Sequence, residues 1–337
     1  MIIIEECYSL KLYNTFGLSA TARVFAEVNQ PGELQSVVNI FREDSRPKMI
    51  LGGGSNILFT SDFDGIVLFP DLRGCDLLKE NDEHVWVKTY AGEKWDQFVG
   101  LCVSKNWYGI ENLSLIPGNV GSCPIQNIGA YGVEVKDVIE SVEALDIKDG
   151  TVRIFSNADC CFGYRDSIFK HEAKSRYIIM SVTFKLSKQP FFKTNYADVS
   201  EALKDCKELN LSSLREAIIQ IRQRKLPDPE QLGNAGSFFK NPLISLDLFK
   251  KLQEEYPRIS SYPADNSDVK VSAAWLIQEC GWKGKREGNV GTYETQPLVI
   301  VNYGGATGNE ILDFATKIRN SVVKRFDIEL DFEVNII

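Results

Sequence analysis

Apolar residues recur at helical spacing four times along the chain. Leu34, Val37, Val38 and Phe41 follow Pro31 and Gly32, with proline placed where a first helical turn tolerates it. Ser213 and Glu216 form a capping-box pattern ahead of Ala217, Ile218 and Ile221, and Pro227 and Pro229 stop that helix near Lys225. Ser272 caps a short helix through Trp275, Leu276 and Cys280 that Gly281 closes, and Ile311, Phe314, Ala315, Ile318 and Val322 make the stripe of a longer one. Period-two stretches predict strands at 47–51, 85–90, 139–147, 177–186 and 297–301, with Asp149-Gly150 as a hairpin turn before 151–155. In the terminal run, Ile328, Leu330, Phe332, Val334 and Ile336 fall on one strand face and Glu329, Asp331, Glu333 and Asn335 on the other. Helices and strands interleave without a repeat, which predicts an α+β fold. The proline-rich stretch 225–236 reads as a domain hinge or a ligand loop.

Composition narrows the function classes. At 337 residues with 44% hydrophobic content, the chain has apolar material for two or three domains. Its opening residues place acids directly after three isoleucines and offer neither a basic segment nor an apolar run of signal or membrane-span length, so a cytoplasmic protein without membrane attachment is expected. A formal charge of −8 argues against a nucleic-acid binder and leaves room for a local basic pocket holding one anionic ligand. The eight cysteines show no C-x-x-C pair and read as reduced core thiols. His84 and His171 stand apart from other metal-ligand types, so no metal is expected, and both read as surface or strand residues.

Two stretches carry candidate chemistry. Gly52, Gly53 and Gly54, then Ser55 and Asn56, follow an apolar strand directly; glycines there allow either a tight turn or a backbone cradle for a phosphate. The Rossmann fingerprint fails, because Ile57 occupies the third glycine position. The second stretch runs from Ile116 to Gly132, rich in small and turn-forming residues yet anchored by Ile116, Ile125 and Ile128. It reads as an ordered loop around something large and flat, since loops of this length in a compact domain usually serve a function.

These stretches, with Phe162-Gly163-Tyr164-Arg165-Asp166-Ser167-Ile168-Phe169-Lys170 and the run from Gly233 to Pro242, stand in an order that resembles the UDP-N-acetylenolpyruvoylglucosamine reductase family, from about Tyr13 to Val334. The resemblance implies a vanillyl-alcohol-oxidase (PCMH-type) FAD-binding fold in two subdomains, 1–72 (joined by 327–337) and 73–210, plus a C-terminal α+β domain, 211–326, for a nucleotide-sugar substrate. It implies FAD and NADPH as cofactors and a role in peptidoglycan precursor synthesis. Gly52, Gly53, Gly54, Ser55 and Asn56 would sit at the FAD diphosphate. Pro117, Gly118, Gly121, Ser122, Gln126, Asn127, Gly129, Ala130, Tyr131 and Gly132 would wrap the diphosphate and flavin. Arg165 would clamp the substrate carboxylate, Ser237 would donate a proton and Glu333 would complete the catalytic set. Tyr164, Tyr196, Lys225, Asn241, Tyr262 and Gln296 would bind substrate, Tyr196 from a loop like that of the type I subfamily. A monomer is expected.

Read without the resemblance, the same residues have plainer roles: Arg165 pairs with Asp166, Glu333 is one acid on a solvated strand face and Ser237 is a turn or cap serine. Lys225 is then a helix C-terminal cation, and Tyr196 and Tyr262 are half-buried packing residues. Asp331 departs from the family's usual glutamate, which loosens the register of Glu333, and Cys160 and Cys161 have no assigned role. A different FAD oxidoreductase of the same superfamily would explain the loops but not Lys225, Ser237 and Glu333 together. A silent nucleotide-sugar or flavin-binding protein would be expected to lack one of Arg165, Ser237 and Glu333.

Overall fold

The computed structural model describes residues 2–262 and 268–337, which form two compact units. One takes in residues up to Tyr8, Ala22–Gly54 and Asp64–Arg222; the other takes in Ser9–Thr21, Ser55–Phe63 and Gln223–Ile337.

The first unit carries two larger sheets and one short two-stranded pairing. Strands Ile3–Ser9, Thr21–Val28, Phe63–Pro70 and Lys48–Ile50 lie side by side in that order, the last two parallel. Helix Pro31–Phe41 begins at its proline and buries Leu34, Val37, Val38 and Phe41 with Val24, Ala26, Ile66 and Leu68, as the spacing required. The second sheet is antiparallel, in the order Val152–Ser156, Ile139–Asp146, Tyr177–Ser187, His84–Tyr90, Cys75–Glu80. The Asp149-Gly150 turn forms as expected, with Gly150 at φ +74°. Helix Trp95–Ser104, passed over in the sequence, packs Trp95, Phe98, Val99 and Cys102 into this core.

Helix Leu211–Lys225 ends where the prolines require but starts earlier than the Ser213 pattern suggests. Asn210 is the cap: its Oδ1 accepts the Ser213 N–H at 2.9 Å, and Ser213 Oγ accepts the Asn210 N–H at 2.9 Å. Glu216 instead takes a hydrogen bond from Gln220. An asparagine three residues upstream satisfies the first amides equally well, so the apolar stripe extends back to Leu211 and Leu214.

In the second unit, helix Gly308–Phe326 opens with a capping box between Thr307 and Glu310 and buries Ile311, Phe314, Ala315, Ile318 and Val322. It packs in one core with strands Val290–Thr292 and Val299–Asn302 and with helix Ala273–Glu279, which Ser272 caps. Strand Gly233–Ser237 pairs antiparallel with Val299–Asn302. A smaller sheet of Leu243–Ser245, Asp268–Val271 and Ser261–Tyr262 stands beside helix Leu246–Glu255.

The terminal run keeps its alternation without forming a continuous strand. Ile328, Leu330 and Val334 are buried and Glu329 and Asp331 exposed, yet only Asn335–Ile336 pairs regularly, in parallel with Ile57–Leu58. Its remaining backbone partners are short segments, among them a single bridge between Phe239 and Phe332. All eight cysteines are unbridged, but the core description fits only Cys102, Cys123 and Cys160; Cys7, Cys161 and Cys206 are exposed. Among the described residues no helix is long and apolar enough to cross a membrane.

Candidate active site

In the first unit the two glycine stretches lie backbone against backbone. Strand Lys48–Ile50 ends at Leu51, whose amide donates to Leu68, and the chain then turns through Gly52 and Gly53. A Cβ on Gly52 would fall 2.3 Å from Ser122 Oγ, and one on Gly53 would fall 2.7 Å from the Gly118 Cα. Gly121 is held the same way, since a Cβ there would sit 2.6 Å from that of Ala91. At Gly53, where the opposing atom is backbone, glycine is therefore demanded by contact and not only by turn geometry. Among the described residues the amides of Gly52 and Gly53 donate to no protein acceptor, which suits an anionic ligand such as a diphosphate.

The rest of the long loop is pinned from within. Val120–Ser122 forms one 3-10 turn, and Gly129–Ala130 pairs with Val133–Glu134. Asn127, fully buried at φ +45°, donates to Glu134 at 3.1 Å and to the Gly163 carbonyl at 2.8 Å, and accepts from the Lys136 amide at 3.1 Å. Its side chain is thereby spent on joining this loop to the Arg165 turn. Tyr131 (φ +49°) meets Tyr196 edge to face, with ring centroids 5.5 Å apart.

Arg165 occupies a tight Gly163–Asp166 turn at φ +54°, a conformation that costs a non-glycine residue about 1–3 kcal/mol and persists only where the surroundings enforce it. Its guanidinium donates to the Gly129 carbonyl at 2.5 Å and stands 5.4 Å from the Tyr164 ring centroid. The plain pairing with Asp166 does not form; that carboxylate accepts from His171 at 2.8 Å. Arg222, which the sequence reading passed over, lies beside Tyr131 and donates to the Leu115 carbonyl at 3.3 Å. Burial pushes its guanidinium below its ordinary value, against the pull of Tyr131 and Asp96. Its signal in the sequence is an arginine one heptad beyond Arg215 on the same helical face.

The second unit brings Ser237 and Glu333 together. Asn234 is buried, its amide donates to Pro227 and Leu232, and its oxygen accepts the Gly236 amide at 3.0 Å. Gly236, at φ +68°, then bends the strand so that Ser237 faces Val299 across the sheet. Residues 331–333 run alongside 238–240: the Glu333 amide donates to Phe238 at 2.8 Å, and the Lys240 amide donates to Asp331 at 2.9 Å. Asn56 Nδ2 donates to the Glu333 carbonyl at 3.1 Å. Phe238, Phe239 and Phe332 pack with centroids 5.4–5.6 Å apart, which fixes that crossing. Glu333 is half-buried, whereas Glu329 and Asp331 on the same strand face are exposed.

The remaining positions are more scattered. Lys225 ends its helix, and its carbonyl accepts from Thr295 at 2.9 Å, next to Gln296. Gln296 turns back to the Val299 amide. Asn241 spends its oxygen on the Ala273 amide at 2.9 Å, leaving its NH₂ for other partners. Tyr262 lies in the small sheet opposite Lys270.

Residues 22–156 match an FAD binding domain family, which with the glycine cradle makes this an FAD-binding α+β protein. Residues 228–337 match the UDP-N-acetylenolpyruvoylglucosamine reductase C-terminal domain. UDP-N-acetylenolpyruvoylglucosamine reductase of Amoebophilus asiaticus is 48% identical over 336 residues, and that of Flavobacterium johnsoniae 45% over 337, each alignment covering 99% of both chains. The chain belongs to the UDP-N-acetylenolpyruvoylglucosamine reductase family. The crystal structure of such a reductase from Thermus caldophilus shares its fold, with a TM-score of 0.70 over 100% of this chain and 99% of the other at 23% identity.

Proposed function

We propose that this chain reduces the enolpyruvyl group of UDP-N-acetylglucosamine enolpyruvate to the lactyl ether of UDP-N-acetylmuramate, using NADPH and FAD, in peptidoglycan precursor synthesis. Bound FAD supplies a hydride carrier between NADPH and the methylene carbon of the substrate. Gly52, Gly53, Gly54, Ser55 and Asn56 would hold it together with Pro117, Gly118, Gly121, Ser122, Gln126, Asn127, Gly129, Ala130, Tyr131 and Gly132, and the open backbone amides of Gly52 and Gly53 suit its diphosphate. Once the methylene carbon is reduced, negative charge builds on the adjacent carbon and its carboxylate. Arg165 meets that charge with a planar fork of donors, and the Ser237 hydroxyl delivers the proton to the carbon. A serine hydroxyl is a weak acid, so hydrogen-bond donors and positive charge must steady the oxygen it leaves behind, while Glu333 completes the catalytic set beside it. Tyr164, Tyr196, Lys225, Asn241, Tyr262 and Gln296 bind the nucleotide sugar, Tyr196 as part of a lid that excludes water.

The observation that carries this reading is the pairing of the Glu333 amide with Phe238, which sets the serine and the carboxylate on adjoining segments within a full-length family match. The division into 1–72 with 327–337, 73–210 and 211–326 is part of the same reading, as are a cytoplasmic monomer and the absence of nucleic-acid, membrane and metal partners. The test is an absorbance spectrum of the purified protein followed by anaerobic mixing. NADPH should bleach the flavin, and only the enolpyruvyl UDP-sugar should restore its colour. A colourless protein that takes up no FAD would overturn the assignment.

A further inference from the structure

We propose that Lys94 and Asn119 are additional ligands of the cofactor's diphosphate, supplying the positive charge that the glycine cradle itself lacks; the proposal rests on the FAD reading above. The two residues face each other across an isolated antiparallel bridge, fixed on either side by the Trp95 amide on the Gly118 carbonyl (3.0 Å) and the Val120 amide on Glu93 (2.8 Å). Lys94 Nζ donates to Asn119 Oδ1 at 3.1 Å. That bond sets the orientation of the amide and directs its NH₂ away from the lysine. Asn119 is only 3% exposed, and among the described residues its Nδ2 is buried with no acceptor. A buried NH₂ without a partner is a cost that native proteins rarely leave standing, so an acceptor from outside the chain is indicated.

The place of this amide is what names the acceptor. A Cβ on Gly53 would lie 2.7 Å from the Gly118 Cα and 3.2 Å from Asn119 Oδ1, so the asparagine is packed against the cradle whose amides stand open. Lys94 has no carboxylate within ion-pair distance among the described residues, and the nearby Asp71 is already held by Arg73 at 2.6 Å. Partial burial, then the Arg73 guanidinium, pushes the Lys94 ammonium below its ordinary value, as expected of a cation awaiting an anion. An ammonium, a buried amide NH₂ and two backbone amides on glycine are a donor set for a multiply charged oxyanion, and the diphosphate is the part of FAD that matches it.

The test is FAD titration of the flavin-free full-length chain, followed by flavin fluorescence at several salt concentrations. Lys94 is an exposed residue, so Lys94→Met should fold normally. It should bind FAD about ten- to a hundredfold more weakly and with a shallower dependence on salt, because one charge pair has gone. Lys94→Arg should stay within about threefold of the parent, and Asn119→Ala should lose about tenfold. Lys94→Met affinity equal to the parent, or weaker with an unchanged salt dependence, would overturn the proposal. A parent chain that takes up no FAD would instead overturn the cofactor reading beneath it.

Discussion

The backbone amide of Glu333 donates to the carbonyl of Phe238 at 2.8 Å, so the Glu333 backbone is held beside the residue that follows Ser237. Ser237→Ala should leave anaerobic reduction of the flavin by NADPH nearly unchanged and slow reoxidation by substrate by about 10²–10⁴-fold, the usual worth of a positioned proton donor. Stopped-flow absorbance reads both halves. Equal slowing of the two would remove the serine from the proton-transfer step.

Glu333 offers a sharper distinction between chemistry and architecture. Its backbone makes the bonds that fix the crossing, through its amide to Phe238 and its carbonyl from Asn56, and a side-chain change leaves both in place. Glu333→Gln should therefore retain FAD and melt near the parent temperature while kcat falls by about tenfold or more. Loss of FAD on purification would mean that the carboxylate is structural.

The elements legible in the sequence are those whose burial follows a single face. Pro31–Phe41 and Gly308–Phe326 each bury a stripe at helical spacing, and the alternation of 328–334 survives even where the strand does not. Trp95–Ser104 escaped because Lys94 offers no capping side chain, and Leu246–Glu255 because it buries only Phe249 and Leu252. The Ser213 pattern misplaced a helix start because two overlapping caps compete and local sequence does not rank them. Contacts between residues remote in the chain, such as Asn56 with Glu333 or Tyr131 with Tyr196, have no local signature; only the family pattern pointed to those positions. Asn119 lies in the glycine-rich loop, but the bridge that joins it to Lys94 has no local signature in the sequence.

Gly129 should tolerate no side chain. A Cβ there would lie 2.8 Å from Arg165 Nη1 and 2.9 Å from the Val133 carbonyl, so the guanidinium must leave the Gly129 oxygen or the short hairpin must open. Gly129→Ala should cost about 1–3 kcal/mol of stability as overpacking and weaken substrate turnover more than flavin reduction. Urea unfolding with the two half-reaction rates checks this; normal rates in both would mean that Arg165 needs no such seat.

Asp96 controls the approach to the long loop and makes its stability depend on pH. Its carboxylate accepts two hydrogen bonds from Arg215 at 2.8 Å and one from the Leu115 amide at 2.5 Å, with Leu115 at φ +58° just before Ile116. Burial alone would raise this carboxyl, but the Arg215 and Leu115 hydrogen bonds outweigh it and hold it below the ordinary value. The unfolded chain titrates near about 3.9, so the contribution is complete above that pH and is lost as pH falls toward the lower folded value. Asp96→Asn should cost about 1.5–3 kcal/mol at pH 7, the scale of a hydrogen bond to a charged group. The gap to the parent should narrow once the pH drops below about 4, because the unfolded parent then takes up a proton at Asp96 that the folded parent still excludes. Urea midpoints of both proteins at pH 7, 5 and 3 decide the point, and a gap that stays constant across all three would show that Asp96 acts through shape rather than charge.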